Sequence, residues 1–261
     1  MLTINDLTLR YEGVGGARPV LALDRVSLSL ASGEFIVIIG PSGCGKTSLL
    51  EVIGGFREAT SGQLILDGEP VHGPHPDIGV VFQEDSTFPW LTTEQNIEFS
   101  LKHRGVPEHE RASRVAAMIE LIGMRGFEKH RPSQLSGGMR QRVALGRALA
   151  PKPKLLLMDE PFGALDEQSR LTLGDELLRI WRATACTIIF ITHSLSEAAM
   201  LADRVVVLQP RPGRIRDIVE NPTSPRDRTS EAIGTRTFTE MTARLWGMLK
   251  CDPAVPLTAS P

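Results

Sequence analysis

The stretch Phe35-Ile-Val-Ile-Ile-Gly-Pro-Ser-Gly-Cys-Gly-Lys-Thr47 decides the fold. Residues 35–39 are apolar at every position, the pattern of a strand buried on both faces of a parallel sheet. Gly40-Pro-Ser-Gly-Cys-Gly-Lys-Thr47 follows at once and matches GxxxxGK[ST], with a helix expected from about Lys46. A glycine-rich turn between buried strand and helix lets consecutive backbone N–H groups curl around a phosphate, and the positive end of the helix adds attraction for the anion. In such a loop Lys46 would reach the β- and γ-phosphates and Thr47 would ligate Mg²⁺. The candidate cradle is therefore Gly40, Pro41, Ser42, Gly43, Cys44, Gly45, Lys46, Thr47 and Ser48. A Gly/Ser turn formed by chance is the alternative, and it leaves the flanking strand and helix unexplained.

Working outward, Leu155-Leu-Leu-Met-Asp-Glu160 is a second apolar strand, and it ends in two acids. Parallel strands deliver their carboxyl ends to a common ligand crevice, so Asp159 and Glu160 would arrive beside the phosphate loop. Asp159 suits a water-mediated hold on Mg²⁺, and Glu160 suits orienting or deprotonating an attacking water. A solvated turn could also carry paired acids, but would leave the loop without a magnesium partner. Further strands are expected at 79–82, 187–191 and 204–208, with helices between most of them, which gives an α/β sandwich with a parallel core. The segment 2–30, broken by Gly13, Gly15 and Gly16, suits a small antiparallel sheet. Residues 96–131 read as a helical insertion, with Val115, Met118, Ile119 and Ile122 near helical spacing after Pro107. Ser136 can cap the next helix, which runs past Arg142 and Ala148. From Pro210 the chain turns rich in Pro and Arg, then mildly amphipathic around Phe238, Met241, Leu245 and Leu249, and its last residues look frayed.

Composition narrows the class. The 261 residues are 23% charged and 41% hydrophobic with a formal net charge of -2, which favours neither disorder nor a wholly basic nucleic-acid binder. Three scattered cysteines, Cys44, Cys186 and Cys251, argue against a disulfide framework and fit a reducing compartment. The start MLTINDLTLRYEG lacks the basic-then-apolar pattern of a secretory signal, and the longest apolar runs fall well short of the roughly 20 residues that cross a bilayer as a helix. Membrane association is therefore expected through partners.

Leu135-Ser-Gly-Gly-Met139, followed by Arg140-Gln-Arg142, resembles the signature sequence of ABC ATPases and is far more diagnostic than the phosphate loop. Gln83 matches the Q-loop glutamine, Gly163-Ala-Leu-Asp166 the D-loop, His193 the switch histidine and Tyr11 the aromatic on which adenine stacks. The resemblance spans roughly residues 2–208. It implies a P-loop ATPase with a parallel core sheet, an antiparallel β subdomain and a helical signature subdomain. The expected domain is 1–209, with a helical insertion at about 96–149, followed by a C-terminal tail at 210–261 that holds a short helix.

The same resemblance implies that Leu135, Ser136, Gly137, Gly138, Met139 and Asp166 serve ATP held by a second subunit, so that hydrolysis needs a homodimer or a paired ATPase subunit. Ser136 offers a hydroxyl, and Gly137 and Gly138 let amides approach phosphate at a helix N-terminus. His193 would contact the γ-phosphate and steady the water near Glu160, and Gln83 would join Thr47 and Asp159 at Mg²⁺. ATP and Mg²⁺ are the implied cofactors. Lone residues keep plainer readings too: Tyr11 could simply pack in the first sheet, and His193 without the Asp159-Glu160 strand would be an ordinary loop residue. Cys44 fills a variable loop position and is expected to have no chemical role, although a thiol beside the phosphates could confer sensitivity to alkylation.

Exporters of the family carry membrane helices on the same chain, and its translation proteins carry two ATPase units; neither is present in this sequence. Phe88-Pro-Trp-Leu-Thr92, with Pro210-Arg-Pro-Gly-Arg214 and Ser224-Pro-Arg-Asp-Arg228, resembles the nitrate, sulfonate and taurine importer group. That likeness implies transmembrane permease subunits, indirectly a solute-binding protein, a peripheral position at the cytoplasmic face of the inner (plasma) membrane, and no nucleic-acid partner. A soluble ABC protein acting on nucleic acid or protein assembly is the competing class, while a GTPase or kinase conflicts with the signature. Trp90 fits either an exposed partner surface or a buried core. Basic residues around 211–216 fit a solvated turn better than a site for lipid or RNA.

Overall fold

The structure is a computed structural model and describes residues 1–13, 18–83, 87–225 and 227–250. Gly15, Gly16, Arg226 and the frayed end expected at the C-terminus lie outside the described residues. In chain order the elements are β1 (Leu2–Tyr11), β2 (Val20–Leu30), β3 (Phe35–Ile39), α1 (Lys46–Ile53), β4 (Ser61–Leu66), β5 (Glu69–Pro70), β6 (Ile78–Val81), α2 (Thr93–His103), α3 (Glu108–Leu121), α4 (Gly137–Leu149), β7 (Leu155–Asp159), α5 (Glu167–Thr184), β8 (Thr187–Ile191), α6 (Leu195–Leu201), β9 (Arg204–Gln209), β10 (Arg214–Glu220) and α7 (Arg236–Leu249). They form a four-stranded sheet, β2-β1-β4-β5, and a six-stranded sheet, β10-β9-β3-β8-β7-β6. The first is antiparallel. The second is parallel apart from its edge strand β10.

The unbroken apolar runs are explained by burial on both sides of the large sheet. Phe35, Val37 and Ile39 of β3, with Leu156 and Met158 of β7 and Ile188 and Phe190 of β8, enter a core shared with the helices α2 to α7. The alternate residues Ile36, Ile38, Leu155, Leu157, Ile189 and Ile191 enter a second core with α1 and the antiparallel sheet. Strand side chains alternate faces, so a strand sandwiched between two cores keeps polar residues only at its ends, here Asp159 of β7 and Thr187 of β8. Burying each such side chain stabilises the fold by roughly 1.5–3 kcal/mol.

The helical insertion begins at Thr93, a few residues before the expected boundary. Its start is set by a capping box in which Thr92 accepts from the Gln95 amide while the Gln95 side chain accepts from Thr92 N–H. The C-terminal boundary differs more. The expected tail from 210 contains β10, which pairs along β9 from Arg214↔Gln209 to Glu220↔Arg204. Its alternating charged residues mark it as an edge strand rather than a buried one. Beyond it, α7 buries Met241 and Leu245 in the helical core, as the amphipathic spacing suggests. The hairpin of β4 and β5 was not foreseen, although Asp67 and Gly68, both with positive φ, form the Asp-Gly turn that signals one.

Candidate nucleotide site and signature cleft

The phosphate loop leaves the end of β3 and enters α1 through Gly45, whose φ of 96° lies in the left-handed region open to glycine. Space also demands glycine: a Cβ at Gly45 would sit 2.8 Å from Leu23 Cδ2, and one at Gly40 would sit 2.6 Å from Cys44 Sγ. Lys46 is only 9% exposed, and its ammonium group donates to the carbonyls of Gly40, at 2.9 Å, and Pro41, at 3.3 Å. The loop thus closes on its own lysine. Cys44 is fully buried in the core beside α1, and burial pushes its thiol up against the opposing pull of Lys46. Thiolate is the reactive form, so this burial agrees with the reading of Cys44 as a residue without a chemical role.

Both acids stand at the carboxyl end of β7. Asp159 ends β7 opposite Ile191 and is only 7% exposed. Burial raises its carboxyl above the ordinary value, opposed by a hydrogen bond from the Thr47 side chain, and the neighbouring Glu160 raises it further. Glu160 has φ of 42° and is held by two backbone bonds: its N–H donates to Ile191 O at 3.0 Å, and Gly163 N–H donates to its carbonyl at 3.0 Å. A non-glycine residue in that region stores roughly 1–3 kcal/mol of strain. The turn aims its side chain at His193, whose Nδ1 lies 3.1 Å from Glu160 Oε2.

Tyr11 takes the packing reading of the two its sequence position allows. It packs against the core of the antiparallel sheet, its hydroxyl lies 2.9 Å from Ser48 Oγ and donates to Glu51 at 3.4 Å, and Arg57 covers one ring face at 4.6 Å. A base stacking on this ring would use the other face. Gln83 is exposed, and its amide nitrogen lies 3.9 Å from where a Cβ on Gly163 would stand.

The signature residues gather elsewhere. Ser136 caps α4 by accepting from Met139 N–H at 3.3 Å, and Asp166 caps α5 by accepting from Ser169 N–H at 2.9 Å and from its hydroxyl at 2.7 Å. The Ser169 hydroxyl, ahead of the amides at the cap, holds the Asp166 carboxyl below its ordinary value. Ser136, Gly137, Gly138, Met139 and Asp166 share the walls of an open cleft of about 850 Å³, which none of residues 40–48 lines. Leu135 differs from the others: it is buried in the helical core, and its carbonyl accepts from Arg140 at 2.8 Å.

A family model described as ABC transporter matches residues 23–163, more than half of the chain. An ABC transporter ATP-binding protein of Methanocaldococcus jannaschii is 49% identical over 88% of this chain and 85% of its own length. The chain belongs to the ABC transporter ATP-binding family. It binds and hydrolyses ATP, and its two sheets and helical signature region are those of an ABC ATPase. Proteins named taurine import ATP-binding protein from Burkholderia pseudomallei and Sinorhizobium fredii are 50% and 47% identical, covering 82% of this chain and 82% and 80% of their own. Among solved structures, a dimeric bacterial ABC transporter cassette matches with a TM-score of 0.73 at 30% identity, covering 86% of this chain and 100% of that one. Another, described as a post-hydrolysis state bound to ADP and Pi, matches with a TM-score of 0.73 at 29% identity.

The ATPase also carries contacts that sequence reasoning missed. Asn96 is fully buried and laces the 87–92 loop: its oxygen accepts from Phe88 N–H at 2.8 Å, and its nitrogen faces the carbonyls of Phe88, Leu91 and Thr92 at 3.0–3.2 Å. A buried asparagine that satisfies this many backbone groups fixes a loop's shape. The loop presents Trp90, which is 66% exposed and stacked on Phe88, and so falls on the exposed side of its two readings. Phe88 in turn meets Phe99 edge-on and carries the Arg147 guanidinium over its ring. Among the described residues no helix is long and apolar enough to cross a membrane.

Proposed function

We propose that two copies of this chain, or this chain and a paired ATPase subunit, close head to tail over two ATP molecules and so drive uptake of a small solute through transmembrane permease subunits. The observation that carries the two-chain reading is the division within one chain. Lys46, Asp159 and Glu160 crowd the ends of β3 and β7, while Ser136, Gly137, Gly138 and Asp166 open onto a separate cleft. Donors that serve no phosphate on their own chain are placed to serve one held by a partner.

In this reading Gly40 to Ser48 cradle the triphosphate, and Lys46 exchanges its two carbonyl partners for phosphate oxygens, a stronger charge-assisted bond. Glu160 accepts the proton of the attacking water, and His193, already beside it, steadies that arrangement and reaches the γ-phosphate. Tyr11 carries the adenine on the ring face that Arg57 does not cover. The chemistry around Asp159 and Thr47 fits Mg²⁺: a buried carboxyl, which the charge of Lys46 offsets less than burial does, a hydroxyl bonded to it and phosphate oxygens suit a cation that binds through few protein ligands. When bound, Mg²⁺ would neutralise charge building on the phosphates, with Gln83 as the third proposed contact.

The importer reading is supported by the relatives named for taurine import and by the apolar surface of Phe88, Trp90 and Leu91, which we assign to the permease's coupling helix. Taurine, other sulfonates and nitrate all fit; the choice would rest with the permease and a solute-binding protein. The ATPase would then sit peripherally at the cytoplasmic face of the inner membrane. Residues 1–209 would hold every group used in this cycle, with 210–261 as a C-terminal tail. Affinity purification of the tagged chain from its native membrane tests the reading. A multi-spanning permease should come with it; ribosomes or nucleic-acid proteins in its place would move the chain to the competing class.

A further inference from the structure

His193 is 58% exposed and has Glu160 as its hydrogen-bond partner, so its own backbone must do much of the work of placing it. On either side that backbone is tied down by a polar chain running into α6. Ser194 caps α6 by accepting from Glu197 N–H at 3.3 Å. In an ordinary capping box the side chain three residues into the helix would return to the cap residue's own N–H. Here the Glu197 carboxylate accepts instead from the Thr192 hydroxyl, at 2.5 Å, and that hydroxyl accepts from Ser194 N–H at 2.9 Å. Thr192 N–H in turn donates to Ile38 O of β3 at 3.2 Å, and Thr192 is 2% exposed. The residues before and after His193 are therefore locked to one partly buried carboxylate and to the strand that feeds the phosphate loop.

We propose that Glu197, acting through the Thr192 hydroxyl, is a positioning residue that sets His193 against Glu160 for hydrolysis. A helix cap alone needs no threonine between carboxylate and amide. Inserting one transfers the fixed point from the end of α6 to the backbone immediately before His193. Burial also opposes ionisation of Glu197, so it is an expensive way to cap a seven-residue helix. Arg170 and Glu167 of α5 line the same small cavity as Glu197 and Ser194, and Arg170 favours the carboxylate from across it. The Arg170 side chain also donates to Leu165 O at 2.9 Å and Gly163 O at 3.1 Å, which places the 163–166 turn next to the lock.

The inference rests on the role of His193 proposed above, so the experiment includes His193→Ala as a reference. Steady-state ATPase assays on the full chain would compare Thr192→Val, a near-isosteric loss of the hydroxyl, with Thr192→Ser, which keeps it, and Glu197→Ala with Glu197→Gln, which keeps an acceptor. Misplacing a reacting group by about an ångström costs roughly 100-fold. Thr192→Val and Glu197→Ala should lower kcat roughly 10- to 100-fold with KM for ATP unchanged, while Thr192→Ser and Glu197→Gln should keep most of the turnover. Wild-type kcat in Thr192→Val overturns the proposal, as does a loss in which kcat and KM change together with the melting temperature. Should Glu197→Ala fail to fold, the Thr192 pair decides. If His193→Ala retains full turnover, the underlying reading of His193 fails; if it is inactive while Thr192→Val is active, only this inference fails.

Discussion

The phosphate-loop half and the signature half of this molecule are built in opposite ways. In the first, Lys46 and Asp159 are more than nine-tenths buried and already bonded within the chain, and Glu160 and His193 are paired. In the second, Ser136 and Asp166 do no more than cap helices at the rim of an open cleft. The buried half is largely organised in the free chain, and on ligand binding Lys46 would only have to exchange the carbonyls of Gly40 and Pro41 for phosphate oxygens. The open half is organised as a surface, able to act only when something is brought to it. In the proposed cycle one chain would carry two half-sites of different kinds, and closure of two chains would join unlike halves.

The largest effect should come from the buried half. Glu160→Gln keeps the shape but cannot accept a proton, and should lower turnover by about 10²–10⁴-fold while ATP still binds. Size-exclusion chromatography with ATP should then show accumulation of a dimer, and wild-type turnover would remove Glu160 from its assigned role.

The next pair of variants separates the halves. Lys46→Ala removes a charge held against the phosphates and should weaken ATP binding roughly 10- to 100-fold, the range expected for a lost charge-assisted bond. Ser136→Arg should leave binding intact and stop hydrolysis. Mixed together, the two inactive chains can form one site with both halves intact, so ATPase activity should return above that of either alone. No recovery on mixing, with each variant folded, would break the two-half picture.

Asp166→Ala probes the open half by stability. Loss of a helix N-cap should lower the melting midpoint by about 2–4 °C in a chain of this size. The Asp166 carboxyl is held below its ordinary value by Ser169, so its contribution is present above the unfolded value of 3.8 and lost as pH falls through the depressed folded value. The gap between wild type and variant should close on acidification; a gap that persists at the lowest pH would assign the effect to something other than the ionised cap.

The contrast between the halves also governs what could be read in the sequence. The buried half was legible because burial on two faces forces runs such as 35–39 and 155–158 to be wholly apolar, and because a phosphate loop needs glycine at fixed places. Ser136 as a helix cap followed from one residue type at the start of a helix. The 210–220 segment was harder, since an edge strand with solvent on one side alternates charges and looks like a loop. Asn96, Arg170 and Glu197 were invisible for another reason: each acts on backbone groups or side chains brought near by tertiary packing, which no local pattern records. The strained φ of Glu160 belongs with them, set by Ile191 across the strand pair rather than by its neighbours in sequence.

The smallest effect is the one in which the buried half should gain stability by losing function. Asp159 has a carboxyl raised by burial, so between the unfolded value of 3.8 and the raised folded value the native state holds the extra proton, and stability falls as pH rises through that interval. Above it, the ionised group is a standing cost in the ligand-free chain. Asp159→Asn removes that cost, and its melting midpoint should be slightly above wild type at neutral pH, with the difference disappearing below pH 3.8. Adding ATP and Mg²⁺ should reverse the order, because ligand that binds only the native state stabilises in proportion to its affinity, and the variant lacks the carboxylate proposed to hold the cation. A variant less stable than wild type without ligand would mean that Asp159 is held by its neighbours rather than left waiting for a cation. The two halves would then differ only in burial, and not in readiness for ligand.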